Sequence, residues 1–167
     1  SSSNPNLFVL NYNLQNLCVL NLFVIPKHFF VPEIIEERKP LVASARRAGW
    51  VGSNILLQKI PQTGKIFLVK QQRVEPKEKV LVAWKKTLFL GEEREISARS
   101  WLLDVMRCIE KFGKNTFTLS DIYVFENELR ALHPDNKHIK DKIRQQLQVL
   151  RDRGYLEFTS RGNYQLT

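Results

Sequence analysis

Apolar residues recur at helical spacing near the C-terminal end of the chain. Four of them follow one another at steps of four, four and three: Ile139, Ile143, Leu147 and Leu150. Residues at these steps stack on one face of a helix, so residues 136–151 are predicted to form an amphipathic helix with an inward apolar side. The other side carries cations and amides that only Asp141 opposes: His138, Lys140, Lys142, Arg144, Gln145 and Gln148.

Two further helical stripes precede this segment. The first predicts a core-forming helix and comprises Trp101, Leu102, Val105, Met106 and Ile109. The second comprises Ile122, Tyr123, Phe125, Leu129 and Leu132. Ser97 and Ser100 are candidate N-caps of the first helix and Ser120 of the second, because a hydroxyl oxygen accepts a hydrogen bond from a free N–H there. Pro134 is expected to close the second helix.

Strand and turn signals separate these helices. Residues 113–115 predict a turn, and residues 116–119 have the composition of a short strand. Residues 155–166 predict a hairpin with a tight turn at Arg161-Gly162-Asn163, which puts a cation at its tip. Helix, strand, helix, helix and hairpin follow one another as in a winged helix, a relative of the helix-turn-helix. Residues 98–167 are therefore predicted to form a winged helix domain that binds DNA.

The first half of the chain has an α/β pattern. Residues 7–10 and 17–25 are apolar strands on either side of a polar hairpin loop, residues 11–16. Such near-continuous apolar strands are typical of sheets that are covered on both faces, so helices are expected above and below them.

Later elements complete this pattern only in part. Residues 32–38 are a short helix candidate, residues 65–69 another strand, and residues 76–87 a helix with three inward residues, Val80, Leu81 and Trp84. The sheet lacks the helices needed to cover it, so residues 1–90 are predicted to be an incomplete α/β domain. Gly91 and the charged residues after it interrupt the apolar pattern, and residues 91–97 are predicted to link the two domains.

Residues 44–55 form the second informative segment. Arg46 and Arg47 can clamp phosphates, and Trp50 can stack on a base or wedge beside it. The small residues and glycines around them permit close approach of the backbone to a ligand. The alternative is that Trp50 is a core aromatic under a loop, which composition alone favours slightly because most tryptophans are buried.

Composition adds a preference for a polyanionic partner. The chain has 26 Lys and Arg against 17 Asp and Glu, a net charge of +9. Cys18 and Cys108 lie in apolar sequence and form no Cys-x-x-Cys pair, so both are expected to be buried free thiols in a reducing cytoplasm. The longest apolar run, residues 17–25, is interrupted by Asn21 and is too short to span a membrane. The first residues have no signal-peptide pattern.

No catalytic constellation is visible. The acidic clusters at residues 36–37 and 92–95 are interpreted as solvated surface charge, and Asp104 and Asp121 as structural residues of the winged helix. The three histidines, His28, His133 and His138, form no ligand cluster in sequence. We therefore expect neither catalytic residues nor a metal site in this chain, and no small-molecule substrate.

Several runs of residues resemble one family. They are Arg38-Lys39-Pro40-Leu41, Ala45-Arg46-Arg47-Ala48-Gly49-Trp50-Val51-Gly52, Lys65-Ile66-Phe67-Leu68-Val69, Phe117-Thr118-Leu119, His138-Ile139-Lys140, Lys142-Ile143-Arg144-Gln145-Gln146-Leu147-Gln148 and Leu150-Arg151-Asp152. Together they resemble DpnI-like restriction endonucleases, in the second half of the catalytic domain and the C-terminal winged helix. The resemblance extends from about Asn4 to the end of the chain.

The resemblance implies a type II, methyl-directed enzyme that cuts double-stranded DNA at GATC when the adenine carries an N6-methyl group. It implies a PD-(D/E)xK nuclease domain that uses Mg²⁺, but the catalytic residues and zinc-site cysteines of the family lie in an N-terminal section without a counterpart here. The chain is thus expected to be part of a longer protein and not to cut DNA alone. A non-catalytic DNA-binding protein, either a regulator or a methyladenine reader, is the alternative.

The residues expected to contact DNA fall in both halves. In the first half they are Arg46, Arg47, Trp50, Ser53 and Asn54, with Trp50 as the candidate sensor of the adenine methyl group. In the second half they are Lys137, His138, Lys140, Arg144, Gln145, Gln148, Arg161 and Asn163. The oligomeric state is not predicted.

Overall fold

The structure is a computed structural model that describes residues 5–167 of the chain. Within these residues the strands are β1 (Leu7–Tyr12), β2 (Val19–Ile25), β3 (Ile35–Glu37), β4 (Ser53–Ile55), β5 (Ile66–Lys70), β6 (Arg73–Val74), β7 (Thr116–Thr118), β8 (Leu156–Ser160) and β9 (Asn163–Leu166). The helices are α1 (Lys77–Lys85), α2 (Ile96–Phe112), α3 (Leu119–Tyr123), α4 (Glu126–Leu132) and α5 (Ile139–Asp152). The fold is therefore a mixed one of small sheets and helices.

The first sheet is antiparallel, with strand order β1-β2-β5-β6. One face of the β1-β2 hairpin packs on the core through Leu7, Val9 and Phe23. The prediction that the apolar strands are covered on both faces is wrong for β1, where Phe8 is 63% exposed and Leu10 is also exposed. The reason is that successive side chains of a strand point to opposite faces, and an antiparallel edge strand can bury one face alone.

Three local expectations in the first half need correction. Residues 32–38 form a single 3-10 turn, Pro32–Ile34, followed by β3, because residues 35–37 pair with β4. Leu81 of α1 is exposed, since only one side of this helix packs against β5, while Val80 and Trp84 are half-buried. Cys18 is also exposed, because it lies on the turn between β1 and β2.

Cys108 is buried on α2, as predicted. Burial raises the pKa of this thiol to about 12, and the carboxylates of Glu128 and Asp104 act in the same direction. The thiol therefore stays protonated and packs as a small apolar side chain.

The helix-turn-helix of the second half agrees with the sequence. The apolar residues predicted on α2 and α5 are buried, and Ile143 and Leu147 have no exposed surface. A three-stranded sheet of order β7-β9-β8 closes the unit, so the hairpin of β8 and β9 forms the wing.

The predicted helix starts are wrong in detail. Glu95 is the N-cap of α2 and makes no side-chain cap, while Ser100 is buried within the helix. The second predicted helix is divided into α3 and α4, and its cap is Thr118 rather than Ser120. The Thr118 hydroxyl accepts a hydrogen bond from the Asp121 N–H, and the Asp121 carboxylate accepts one from the Thr118 N–H, which makes a capping box.

One continuous apolar core spans both halves. It includes Ile25 and Phe29 from the first half and Ile109, Ile143 and Leu156 from the second. Polar contacts reinforce it: the Glu110 carboxylate of α2 accepts hydrogen bonds from the backbone N–H groups of residues 62 and 63, at 2.7 and 3.0 Å. The segments on either side of the predicted linker are thus packed together. The boundary between the two predicted domains stays a prediction.

Among residues 5–167, no helix combines the length and the apolar character that crossing a membrane requires.

Candidate nucleic-acid interface

The outer face of α5 is solvent-accessible over its length. It is formed by the exposed side chains of Lys140, Arg144, Gln145 and Gln148, and by that of His138 at the N-cap position. Lys142, which the pattern also places outside, is half-buried with its Nζ 6.0 Å from the centre of the Trp101 ring. The polar residue Gln146 lies instead among the buried residues. The outer face of α5 therefore offers three basic side chains and two amides to a ligand.

Acidic neighbours contact the basic residues of this face. Lys140 lies 3.4 Å from the Glu126 carboxylate of α4, and its Nζ is 5.4 Å from the centre of the Tyr123 ring. Arg144 is paired with Asp141 one turn earlier in α5, and this hydrogen bond raises the pKa of the guanidinium above its ordinary value. The sequence pattern identified Asp141 but gave no sign of Glu126, because that residue comes from another helix.

The segment that enters α5 is held on α2 by an aromatic stack. The His133 ring lies parallel to that of Trp101 with 3.7 Å between ring centres, and its Nε2 is 2.9 Å from the Asp104 carboxylate. Asp104 also pairs with Arg107 at 2.9 Å. Sequence reasoning treated Asp104 as structural, which agrees with these contacts, but it missed the role of His133. A histidine followed by a helix-ending proline carries no local signal of such a stack.

The wing turn is arranged as expected, but its two polar residues differ. Arg161 is exposed at the tip, and Gly162 has a φ of 76°, in the left-handed region that favours glycine. Asn163 is half-buried, and its amide nitrogen donates to the Ser160 hydroxyl at 2.8 Å and to the Arg161 carbonyl at 3.2 Å. Asn163 thus holds the turn closed. Lys137, in the loop before α5, is exposed.

Residues 35–55 form a second feature, an antiparallel hairpin that we call the arm. Its stem is the pairing of β3 with β4, from Ile35 opposite Ile55 to Glu37 opposite Ser53. Backbone hydrogen bonds continue the pairing beyond the stem, from the Arg38 N–H to the residue 52 carbonyl at 2.9 Å and from the Leu41 N–H to the Trp50 carbonyl at 3.0 Å. Arg46 and Arg47 are exposed in the turns at the end of the arm.

Trp50 lies on the surface of the arm, with 53% of the residue exposed. The interpretation of Trp50 as a core aromatic is therefore wrong. Its ring lies over Gly52, so close that a Cβ added at Gly52 would be 2.8 Å from the Cη2 and Cζ3 atoms of the indole and 3.7 Å from Cδ of Arg38. The Trp50 indole is thus an exposed ring that packs on the backbone of the arm.

The two remaining candidates of the arm lie in β4. Ser53 and Asn54 are both exposed, but the Asn54 amide donates to the Glu36 carboxylate at 3.3 Å. A ligand that used the Asn54 amide would have to replace this contact. The predicted DNA-binding residues thus lie on the arm, on the outer face of α5 with the loop before it, and on the wing turn.

Residues 5–167 contain no cluster of side chains that could coordinate a metal ion. No three His, Cys, Asp or Glu side chains in this part of the chain come together as possible ligands. Glu36 and Glu37 are exposed, as are three of the four residues at 92–95, and Asp121 serves the capping box.

Comparison with family models covers nearly the whole chain. Residues 1–93 match the DpnI model, described as the Dam-replacing family, and residues 97–166 match the C-terminal DpnI model, described as the Dam-replacing HTH domain.

Proposed function

The chain belongs to the Dam-replacing (DpnI) family, and on that premise we propose that it binds double-stranded DNA and recognises GATC sites carrying N6-methyladenine. The observation that carries the proposal is the division of α5 into a fully buried apolar face and an exposed face of cations and amides within a helix-turn-helix. In this motif the second helix enters the major groove.

The chemistry of the outer face of α5 suits that groove. Arg144 and Lys140 can bond phosphates or guanine, while Gln145 and Gln148 can bond an adenine edge through their amide oxygen and nitrogen. The adenine N6 position, which carries the methyl group, projects into the same groove. Arg161 at the wing tip and Lys137 before α5 would contact phosphates and fix the register of the helix.

The arm supplies a second contact in this proposal. Arg46 and Arg47 would bond phosphates, and Trp50 would contact the adenine methyl group. A flat apolar ring gains roughly 1 kcal/mol when it buries an added methyl group. The support is that the indole is exposed, lies close to the backbone at Gly52 and belongs to the same hairpin as the two arginines.

Cleavage is proposed only for a longer protein that contains this chain. Family membership suggests a restriction endonuclease with a PD-(D/E)xK nuclease domain, whose Mg²⁺ ions bind closely placed carboxylates. The described residues do not fit such an ion, since no three potential ligands come together among residues 5–167.

The proposal is tested by fluorescence anisotropy at fixed moderate salt. Short duplexes of one sequence containing GATC would have adenine methylated on both strands, on one strand or on neither. Tighter binding to the methylated duplexes is expected, and equal binding to all three would contradict methylation-dependent recognition. Arg144→Ala should weaken binding to every duplex, whereas Trp50→Ala should reduce the preference for methylated DNA.

A methyladenine reader without nuclease activity is the second candidate. The lack of a gathered ligand set among the described residues favours it for this chain. A nuclease assay on methylated DNA with Mg²⁺, performed on the chain alone and on any longer natural form, separates the two functions. Cleavage by the longer form alone would support the restriction enzyme.

A further inference from the structure

Lys140, on the outer face of α5, contacts two residues of the neighbouring helices. Its Nζ lies 3.4 Å from a carboxylate oxygen of Glu126, and the ring of Tyr123 lies beside it. Both partners come from the preceding helices, Tyr123 from α3 and Glu126 from the first turn of α4. Lys140 is therefore held towards the body of the helix-turn-helix.

Glu126 is well placed to hold this lysine. Its side chain is only 25% exposed, against 55% for Lys140, and its other oxygen accepts a hydrogen bond from Arg130 at 2.6 Å. Although partial burial acts to raise it, hydrogen bonds with Arg130 and Lys140 hold the pKa of Glu126 below its ordinary value. The carboxylate is thus charged at neutral pH.

We propose that Glu126 is a positioning residue that holds Lys140 away from the DNA backbone and so weakens the phosphate contacts on which binding to DNA of any sequence depends. The proposal rests on the DNA-binding function assigned above to α5. Glu126 is one helix away from the predicted contact set and contributes no group that reads a base.

The physical basis is the difference between the two kinds of DNA contact. Binding to arbitrary DNA comes from the neutralisation of phosphates by Lys and Arg, whereas sequence is read through base edges. A carboxylate beside the interface repels phosphates and competes with them for Lys140, but it leaves the amides of Gln145 and Gln148 unaffected. Affinity therefore falls by a similar factor for every sequence, and the ratio between the correct site and arbitrary DNA is kept.

The test compares Glu126→Gln with Glu128→Gln. Both substitutions remove one negative charge from α4 and keep the size of the side chain. Glu128, however, pairs with Lys111 and lies near Arg107, both on α2, so its loss frees no cation on α5. Binding of the wild-type chain and of both variants would be measured by anisotropy at several salt concentrations, against a methylated GATC duplex and a duplex of scrambled sequence.

Glu126→Gln is expected to bind the scrambled duplex about threefold more tightly than the wild type. This factor corresponds to the free energy of an exposed ion pair. Its affinity should fall more steeply with salt than that of the wild type, by about 0.9 in the logarithmic slope, because one more phosphate is neutralised. The preference for the methylated site should stay as in the wild type, because the regained contact is with a phosphate. Equal behaviour of Glu126→Gln and Glu128→Gln would overturn the proposal, since the effect would then be one of net charge.

Lys140→Met identifies the cation that is responsible. Combined with Glu126→Gln, it should abolish the gain in affinity, whereas in the wild-type background it should have a smaller effect. If the gain survives in the double variant, Arg130 is its source and the proposal is wrong. If the wild type and the single variants bind neither duplex, the DNA-binding function itself fails; if the wild type binds and Glu126→Gln changes nothing, only the role of Glu126 fails.

Discussion

At the scale of single residues, Gly52 determines how Trp50 lies on the arm. A methyl group at position 52 would be 2.8 Å from two atoms of the indole ring, which real contacts of this kind do not permit. The ring is the free end of an exposed side chain, so it can move aside without a shift of the backbone. The absence of a side chain at Gly52 therefore preorganises the aromatic surface proposed to meet DNA.

Gly52→Ala is expected to displace the Trp50 ring and leave the free energy of unfolding nearly unchanged. The measurement is ¹⁹F NMR of the chain labelled with fluorotryptophan, in which Trp50→Phe assigns one resonance. That resonance alone should shift in Gly52→Ala. Gly91→Ala is the matched control, because its Cβ would meet only an ordinary contact of 3.7 Å. A shift of all tryptophan resonances would mean that the substitution perturbs the fold instead.

His28 is a buried histidine whose charge affects stability. Burial, together with Arg99 and Lys27, lowers its pKa from 6.5 to about 4. Because the unfolded chain binds this proton more readily, the contribution is fully present above pH 6.5 and is lost as pH falls towards 4. The free energy of unfolding should decrease over that range by on the order of 3 kcal/mol.

Urea unfolding at several pH values measures this loss. His28→Gln should flatten the dependence between pH 6.5 and 4, whatever its effect on overall stability. His138→Gln, which removes an exposed histidine, serves as the control and should leave the slope as in the wild type. An unchanged slope in His28→Gln would show that other groups cause the pH dependence.

At the scale of elements, the start of α3 depends on one threonine. Thr118 forms the capping box with Asp121, whereas Ser120 lies inside the helix. Thr118→Ala removes the side-chain acceptor of the Asp121 N–H and should destabilise the protein by about 1 kcal/mol. Thermal or urea unfolding measures this difference. Ser120→Ala should have almost no effect on stability. A larger loss of stability in Ser120→Ala than in Thr118→Ala would show that Ser120 is the cap, as the sequence pattern predicts.

At the scale of the whole molecule, Glu110 connects the two halves. Its carboxylate accepts hydrogen bonds from the backbone at residues 62 and 63 and from the Thr63 hydroxyl, which also lies 3.1 Å from the Tyr155 hydroxyl. Burial raises the pKa of Tyr155 to about 12, so its hydroxyl remains protonated. Together with the continuous core, these contacts predict that both halves unfold together.

Glu110→Ala is expected to destabilise the chain by roughly 2 kcal/mol, because it leaves two backbone N–H groups without their charged acceptor. Glu157→Ala is the matched control on an exposed strand position and should be nearly neutral. Urea unfolding would be followed by tryptophan fluorescence and by far-ultraviolet circular dichroism. Coincident transitions in the wild type are expected, and separate transitions would show that the two halves unfold independently.

The family and the main elements of the second half follow from the sequence alone. The step of three and four residues between Ile139, Ile143 and Leu147 depends only on helix geometry, so the inward face of α5 was predictable without any neighbour. The same holds for the wing turn at Gly162. Residues 38–52 likewise carried enough of the family pattern to indicate membership, which the family models confirm.

The tertiary structure alone decided which surfaces are covered and which charges are paired. The apolar pattern of β1 is compatible with burial of one face or of both faces, and only the structure shows that one face is exposed. Composition favoured Trp50 as a core aromatic, although the residue is exposed. The pairing of Lys140 with Glu126 depends on how α4 packs beside α5. The two residues are 14 positions apart in the sequence, and the periodicity of a single helix does not predict a contact between them. A sequence pattern describes how a segment faces its surroundings, whereas the identity of those surroundings is set by the packing of distant segments.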